Sequence, residues 1–244
     1  DEYGIEVYES NNNTLINNTA SNNDEYGIEV YESNNNTLIN NNAFYNTYSG
    51  IYIYYSNNNT LNNNNASYTD YEDGILLDQS NNNTLINNKA FNNYYIGIDL
   101  FRSNNNILIN NNASNNKEYG IEIYESINNT LDGNIASYNN DYDGIALYYS
   151  SNNVLNNNIA SNNGDNGIYL YNSNNNTLTN NIELYNYEDA GIYLEISNDN
   201  TLIGNNASYN YYNGGGEAYG IYLEDSSNNK LTDNIALYNY QGIR

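Results

Sequence analysis

The sequence DEYGIEVYESNNNTLINN at residues 1–18 recurs letter for letter at residues 24–41. The glycine of this unit returns every 22 to 24 residues along the chain, with a single spacing of 29. A fixed period in this range is typical of a solenoid, in which each repeat contacts only its neighbours. The repeat therefore predicts one continuous body over residues 1–244. The repeated glycines are Gly4, Gly27, Gly50, Gly74, Gly97, Gly120, Gly144, Gly167, Gly191, Gly220 and Gly242.

Each repeat alternates apolar and polar residues after its glycine. Isoleucine follows the glycine directly, and Val, Ile or Leu stands two places further, as in Ile5 and Val7. Leucine recurs eleven places after the glycine, as in Leu15, and alanine sixteen places after it, as in Ala20, with Glu183 as the exception. Period-two alternation indicates strands with one buried face. Each unit is thus predicted to form three short strands whose apolar side chains fill a core.

Asparagine and serine occupy the corners between these strands. The positions of Ser10, Asn13 and Asn18 never vary in the full units, and that of Asn23 is broken only by Thr69. Asparagine tolerates left-handed backbone conformations, and stacked amides can bond to one another in ladders. These features predict an all-β fold: a right-handed parallel β-helix of about ten coils of 22–24 residues with Asn-rich turns.

One unit is longer than the others because it contains the stretch YYNGGGEAY at residues 211–219. The core pattern resumes directly after it. We expect this Gly-rich segment to bulge from one corner as a loop, because insertions in solenoids lie outside the repeated core.

Composition excludes several function classes. The formal net charge is −24 with only five Lys and Arg residues, so nucleic acids and anionic membrane surfaces are poor partners. The chain has no run of apolar residues long enough to insert into a membrane. It also contains no His, Cys or Met, which removes Ser-His-Asp and Cys-His systems and the usual zinc and copper sites. We predict no catalytic residues, no enzyme activity and no cofactor other than a calcium ion.

The calcium prediction comes from a group of glutamates near the start of the chain. Glu6 and Glu29 should stack one coil apart and point outward, with Glu9 and Glu32 nearby. Like charges at that separation repel unless a cation screens them. Ca²⁺ prefers oxygen ligands, so these four residues are the candidate metal site.

Further along the same face lie Asp99, Glu122 and Glu125. Asp99 is close in sequence to Arg102. Paired carboxylates of this kind are what carbohydrate-active enzymes use. Asp99 and Arg102 are therefore the candidate site for a third possible function, that of a carbohydrate-active enzyme.

Tyrosine is abundant, with 31 copies and no tryptophan. Tyrosines repeated on an outer face can form stacking ladders, pack rod against rod or stack on sugar rings. One row contains Tyr8, Tyr31, Tyr54, Phe101, Tyr124, Tyr148 and Tyr171, and another contains Tyr45, Tyr68, Tyr138, Tyr185, Tyr209 and Tyr238.

Asn-x-Ser/Thr sequons mark candidate glycosylation sites, which in a secreted chain would lie on exposed turns. They begin at Asn12, Asn17, Asn35, Asn58, Asn65, Asn82, Asn112, Asn128, Asn175 and Asn206.

The first and last residues of the chain share the same phase of the repeat. Tyr3, Ile5 and Val7 surround Gly4 at the start, and Tyr240 and Ile243 surround Gly242 at the end, with Ile5 equivalent to Ile243. Unpaired strand edges in matching register favour a head-to-tail contact that does not close. These five residues are therefore the predicted assembly ends of a homopolymer.

The unit GI-x-[VIL]-Y-x-S-NNN-T-L-x-NN-x-AS-x-N resembles the right-handed parallel β-helix repeat family, over essentially the whole chain. It is most similar to Asn-rich surface-layer and cell-surface proteins of methanogenic archaea. Similar repeats occur in periplasmic copper-binding proteins, carbohydrate-binding and sugar-hydrolysis modules and pectin-degrading enzymes. The resemblance implies an extracellular, archaeal-type surface protein.

Two functions follow from these observations, besides the enzyme. The first is a structural extracellular protein, a β-helical rod that stacks end to end into a filament, sheath or surface layer. The second is an adhesive module whose outward tyrosines bind cell-surface glycans.

Overall fold

A computed structural model describes residues 2–211 and 218–244, and the strands in these ranges are short. The predicted loop at 211–219 falls mostly on residues outside those described. The strands are β1 Ile5–Tyr8, β2 Thr14–Ile16, β3 Thr19–Ser21, β4 Ile28–Tyr31, β5 Thr37–Ile39, β6 Asn42–Phe44, β7 Ile51–Tyr54, β8 Thr60–Asn62, β9 Asn65–Ser67, β10 Ile75–Asp78, β11 Thr84–Ile86, β12 Ile98–Phe101, β13 Ile107–Ile109, β14 Ile121–Tyr124, β15 Thr130–Asp132, β16 Ile145–Tyr148, β17 Val154–Asn156, β18 Ile168–Tyr171, β19 Thr177–Thr179, β20 Ala190–Glu195, β21 Thr201–Ile203, β22 Tyr219–Glu224, β23 Lys230–Thr232 and β24 Gln241–Ile243.

These strands form a parallel β-solenoid. Sheet A has eleven strands in the order β1-β4-β7-β10-β12-β14-β16-β18-β20-β22-β24, and sheet B has ten in the order β2-β5-β8-β11-β13-β15-β17-β19-β21-β23. The third side begins as the three-stranded sheet β3-β6-β9 and continues as single bridged residues from Asn65 to Ile235. The predicted all-β coil architecture is confirmed. The third predicted strand is regular only in the first three coils.

The core contains the side chains that the alternation predicted. Ile28, Val30, Leu38 and Ala43 of one coil are fully buried, and their equivalents stack above them. In-register pairing places like on like, as in Ile28 against Ile51. Burial of these apolar side chains is a main favourable contribution to folding of each coil.

Four residues per coil have a left-handed backbone and so set the corners. In one coil they are Glu32, Asn35, Asn40 and Tyr45, with φ of 45°, 58°, 55° and 54°. Asparagine dominates two of these four positions, because its short polar side chain tolerates this conformation better than most. These fixed corners limit most strands to three or four residues.

The recurring glycine is required by close approach rather than by its backbone angle. A Cβ atom at Gly97 would lie 2.6 Å from the carbonyl oxygen of Gly120 and 2.8 Å from the Cβ of Ala113. Only a residue without a side chain fits between two coils here. Within the described ranges, no helix is long and apolar enough to cross a bilayer.

Candidate functional site

The outer face of sheet A presents three rows of side chains. They come from the residue before each repeated glycine and from the second and fourth residues after it. Because the strands pair in register, each row stacks equivalent positions, such as Asp99 of β12 beside Glu122 of β14. The face is therefore a linear strip along the long axis of the solenoid.

Aromatic side chains occupy this strip in two tracts. In the first, on β1, β4 and β7, the Tyr8 and Tyr31 rings stack with centroids 5.1 Å apart. In the second, toward the C-terminal coils, the Tyr193 ring lies 5.2 Å from Tyr169 and 4.8 Å from Tyr222. Stacked aromatic faces at these distances stabilise the strip and leave ring surface exposed on it. The first tract comprises Tyr3, Tyr8, Tyr26, Tyr31, Tyr52 and Tyr54, and the second Tyr119, Tyr124, Tyr148, Tyr169, Tyr171, Tyr193 and Tyr222.

A carboxyl cluster formed by Asp73, Asp78, Asp99 and Glu122 follows the first tract, and its last member, Glu122, lies on β14 in the first coil of the second tract. Asp73 and Asp99 are buried, and the other two are partly buried. Burial raises the pKa of Asp99 well above its usual range, and the charges of Asp73, Glu122 and Asp78 raise it further. The four carboxyls thus lie close enough to repel one another when ionised.

Hydrogen bonds satisfy this cluster only in part. The Oδ1 atom of Asp73 accepts from the backbone N–H of Ile96 at 2.9 Å, and the Tyr52 hydroxyl donates to Oδ2 of Asp78 at 3.4 Å. The Oδ1 atom of Asp99 is buried and has no hydrogen-bond partner among the described residues. A buried acceptor left in this state is costly unless a ligand supplies the donor.

A groove of about 350 Å³ opens beside this cluster. Burial raises the pKa of Glu122 to about 7, with a further contribution from the charge of Glu118. The hydroxyls of Tyr119 and Tyr148 lie 3.0 Å apart. The groove thus combines carboxyl groups with aromatic walls. Its lining residues are Tyr95, Glu118, Tyr119, Glu122, Tyr124, Tyr142 and Tyr148.

The predicted calcium ligands fall into two pairs. Glu6 and Glu29 are in-register partners on sheet A, as expected, and burial together with Glu6 and Glu25 raises the pKa of Glu29 to about 7. Glu9 and Glu32 instead occupy left-handed corner positions, with φ of 44° and 45°. Among the residues described, no three acidic side chains are arranged to hold a metal ion. Calcium binding by these four glutamates stays a prediction.

Asp99 and Arg102 do not form the pair that their sequence spacing suggested. Arg102 has a left-handed backbone, φ 49°, and is exposed at the corner after β12. Its Nε donates to Glu125 at 2.7 Å. Glu125 is also a corner residue, φ 46°, so Glu122 but not Glu125 shares the outer face with Asp99.

The sequons divide into two structural classes. Asn12, Asn17, Asn35, Asn58, Asn82, Asn128 and Asn175 are exposed at left-handed corners. Asn65, Asn112 and Asn206 lie partly buried on the third side, where the Oδ1 atoms of Asn65 and Asn206 accept hydrogen bonds from Ser67 and Ser208. Glycosylation stays a prediction for all of them, with the exposed class the more accessible.

The residues predicted as assembly ends differ in exposure. Val7 is buried, Tyr3 and Ile5 are partly buried, and Tyr240 and Ile243 are exposed. Head-to-tail contact between chains stays a prediction.

The sequence interpretation missed Asp73, Asp78, Glu118 and Tyr95 as site residues. A signal for the first two was present: each interrupts a row that holds tyrosine in several other coils, as Tyr26 and Tyr54 do. The burial that makes them unusual depends on packing between coils, which the repeat does not reveal.

Several solved structures resemble this chain. A mutant of the periplasmic alginate epimerase AlgG matches with TM-score 0.68 and 18% identity over 90% of this chain and 62% of that one. The AlgE4 A-module of the Azotobacter vinelandii mannuronan C-5 epimerase matches with TM-score 0.61 and 13% identity over 95% and 88%. PfbA, a surface adhesin of Streptococcus pneumoniae, matches with TM-score 0.68 and 15% identity over 95% and 71%. This chain spans less than two thirds of the AlgG structure, and at these identities the likeness shows the fold alone.

These similarities correct one prediction. We predicted no catalytic residues and no enzyme activity from the absence of His, Cys and Met. The prediction of no enzyme activity was wrong as an inference from composition, because alginate and mannuronan epimerases, which are enzymes, have this fold. The assignment of no catalytic residues stays a prediction.

The sequence matches none of the curated proteins. The family model described as "Right handed beta helix region" matches it in three overlapping segments, residues 1–112, 73–215 and 138–244. Together these segments cover the whole chain, and the chain therefore belongs to the right-handed β-helix family.

Proposed function

We propose that this chain is an extracellular or cell-surface β-helix that binds an extended polysaccharide along the outer face of sheet A. The observation that supports this most is the arrangement of two tyrosine tracts and a carboxyl cluster in one straight strip. Tyrosine rings offer apolar faces for sugar rings and hydroxyls for hydrogen bonds. A linear polymer is the ligand shape that such a strip fits.

The solved structures add limited support. The matched proteins are alginate epimerases, an adhesin and the Dettilon tailspike, each with the same fold. The AlgG epimerase is periplasmic, and PfbA is a surface adhesin. A role in carbohydrate binding at a surface is consistent with these structural similarities. The end-to-end filament stays a prediction from the sequence.

Titration calorimetry of the whole chain against a panel of neutral and charged oligosaccharides tests the proposal. At least one hexasaccharide is expected to bind, and the double variant Tyr124→Ala/Tyr148→Ala is expected to weaken that binding. Absence of heat with every member of the panel would contradict the proposal.

Proton transfer within the groove is a second candidate function, and one observation favours it. Glu122 lines the groove, and its pKa is raised to about 7. A general acid or base works best when its pKa is near the operating pH. Glu122 could therefore act as the acid–base group toward a bound sugar.

This second candidate has a matched control within the chain. Glu122→Gln is expected to abolish any turnover of a bound polysaccharide, followed by NMR of the products. Glu32→Gln should leave turnover unchanged, because Glu32 is exposed at a corner and glutamine already occupies the equivalent corner two coils further along, at Gln79. Full turnover by Glu122→Gln would exclude the role.

A further inference from the structure

The floor of the sheet A groove carries no positive charge in the part of the chain that the structure describes. Arg102 lies at a corner with Glu125, Lys230 lies in β23 of sheet B, and Lys89 lies on the third side. The two remaining cations, Lys117 and Arg244, rest on tyrosine rings. The groove is therefore an acidic channel in a chain of net charge −24.

Those two cations show what tyrosine rings of this chain can hold. The Nζ atom of Lys117 lies 3.9 Å from the centroid of the Tyr94 ring. The guanidinium of Arg244 lies 5.3 Å from the Tyr222 ring and donates to the Tyr219 hydroxyl at 2.6 Å. Cations over aromatic faces at these distances are attracted by the ring quadrupole. Tyr222 belongs to the aromatic strip, so the strip already accepts one nitrogen cation, Arg244, from its own chain.

Burial raises the pKa of Glu118 and the charge of Lys117 lowers it, whereas no cation among the described residues acts on Glu122 or Asp99. Glu118 and Glu122 line the groove, and Asp99 lies beside Glu122 on the neighbouring strand. The buried Oδ1 atom of Asp99 has no donor among the residues that the structure describes. An ammonium group offers three donors and a positive charge, whereas a uronate would bring a further negative charge into the cluster.

Resting on the polysaccharide-binding function proposed above, we propose that the ligand is a glycan with protonated amino groups. Glu118 and Glu122 hold an ammonium group above Asp99, and the rings of Tyr119, Tyr124 and Tyr148 flank it. This ligand class differs from alginate and mannuronan, the anionic polysaccharides of the matched epimerases.

A proton linkage accompanies this mode of binding. Burial and neighbouring carboxyls raise the pKa of Glu122 to about 7 and that of Asp99 well above its usual range. A bound ammonium favours their ionised forms and lowers both pKa values. Binding near neutral pH should therefore release protons from the cluster.

The test is calorimetry of the whole chain with hexamers of glucosamine, N-acetylglucosamine and mannuronate, at a pH where the glucosamine amines are protonated. The glucosamine hexamer is expected to bind at least about tenfold more tightly than the acetylated one. That preference should shrink as salt is added. Mannuronate should bind weakest.

Variants separate the carboxyl contribution from the rest of the groove. Glu118→Gln/Glu122→Gln should abolish the preference for glucosamine and retain binding of N-acetylglucosamine. The control Glu32→Gln should keep the preference, and circular dichroism checks that each variant is folded. The salt dependence of the unmodified chain is a second measurement that does not depend on any variant.

Each outcome distinguishes the two proposals. If no hexamer binds, the polysaccharide function fails and the amino-glycan inference fails with it. If the neutral or anionic hexamer binds as tightly as glucosamine, only the inference is overturned. Equal affinity for hexalysine would also overturn it, because the groove would then select charge rather than a sugar.

Discussion

Asn88 and Asn111, which lie one coil apart, share two hydrogen bonds to one oxygen atom. The backbone N–H of Asn88 donates to Oδ1 of Asn111 at 2.9 Å, and its Nδ2 donates to the same atom at 3.0 Å. Nδ2 of Asn88 also donates to the carbonyl oxygen of Leu61 at 2.9 Å. One buried amide thus links three coils, and the same contacts recur along the solenoid as a ladder beside the core.

Replacing Asn88 by alanine should therefore be strongly destabilising. The change leaves the buried carbonyl of Leu61 without this donor and removes the acceptor for the backbone N–H and Nδ2 of Asn64. Each buried polar group left unpaired costs about 1–3 kcal/mol. We expect Asn88→Ala to lower the free energy of unfolding by about 3 kcal/mol or more, measured by denaturant titration. Asn42→Ala, at an exposed strand position, should change it by only about 0.5 kcal/mol, and equal losses in the two variants would contradict the role of the ladder.

Thr69 interrupts a second ladder, and repairing it should stabilise the chain. Thr69 makes contacts of 3.3 Å to Oδ1 of Asn93, whereas Asn93 itself donates to Asn116 at 3.0 Å. Thr69→Asn would restore an acceptor for Asn46, at the loss of the Thr69 hydroxyl bond to the backbone. We expect a gain of about 1 kcal/mol in the free energy of unfolding. The control Thr47→Asn should give no gain, and destabilisation by Thr69→Asn would show that the hydroxyl bond matters more than the ladder.

Glu183 stands inside the core where the other full coils have alanine, and its position should make stability depend on pH. Both carboxyl oxygens are buried without a partner among the described residues, and burial raises the pKa well above the usual 4.5. Because the pKa of Glu183 is higher in the folded than in the unfolded chain, its contribution to the free energy of unfolding is fully present below the unfolded-state pKa. That contribution is lost as pH rises through the folded-state pKa, because the folded protein must then keep a proton or bury a charge. The natural chain should therefore lose stability from mildly acidic toward alkaline pH.

Glu183→Ala should remove this part of the pH dependence. The variant is expected to be more stable than the natural chain at neutral pH by about 2 kcal/mol, with a gap that widens as pH rises. Thermal unfolding across the pH range measures it. A constant difference at every pH would show that the Glu183 carboxyl does not change its ionisation on folding. Asp199→Asn is a suitable control, since Asp199 is exposed at a corner where most coils have asparagine.

Tyr148 should contribute to polysaccharide affinity through its place in the groove. Its ring lies 5.6 Å from Tyr169 and its hydroxyl contacts that of Tyr119. Tyr148→Ala is expected to weaken binding of the preferred oligosaccharide about tenfold, equivalent to about 1.4 kcal/mol. Tyr209→Asn should have no effect, because Tyr209 is exposed at a different corner, where Asn162 occupies the equivalent position. Equal losses in the two variants would place the binding surface elsewhere.

The fold could be predicted well from the sequence because the same buried apolar positions and corner residues recur in every coil. Ile28, Leu38 and Ala43 are buried where the alternation placed them, and the invariant position of Asn41 forms the expected ladder. Because the coils stack in register, residues one repeat apart in the sequence become neighbours in adjacent coils. A periodic position in the sequence therefore forms a row along the solenoid.

The site could be predicted only in part, for a different reason. The outward direction of Asp99 and Glu122 follows from the alternation, and the structure places them side by side. Their burial follows from side chains of other segments, such as Tyr95 and Glu118, that close around the groove. Arg102 is close to Asp99 in sequence, but its own backbone is left-handed, and this conformation places it at the corner after β12. Such non-repeating contacts leave no periodic signal.

A crystal structure of the chain with a bound oligosaccharide is the decisive test of polysaccharide binding along sheet A. We expect the sugar chain to lie along the outer face of that sheet, with its rings against Tyr124 and Tyr148 and its polar groups within hydrogen-bond distance of Glu122. A sugar chain bound to the outer face of sheet B, or to the third side of the solenoid, would contradict it.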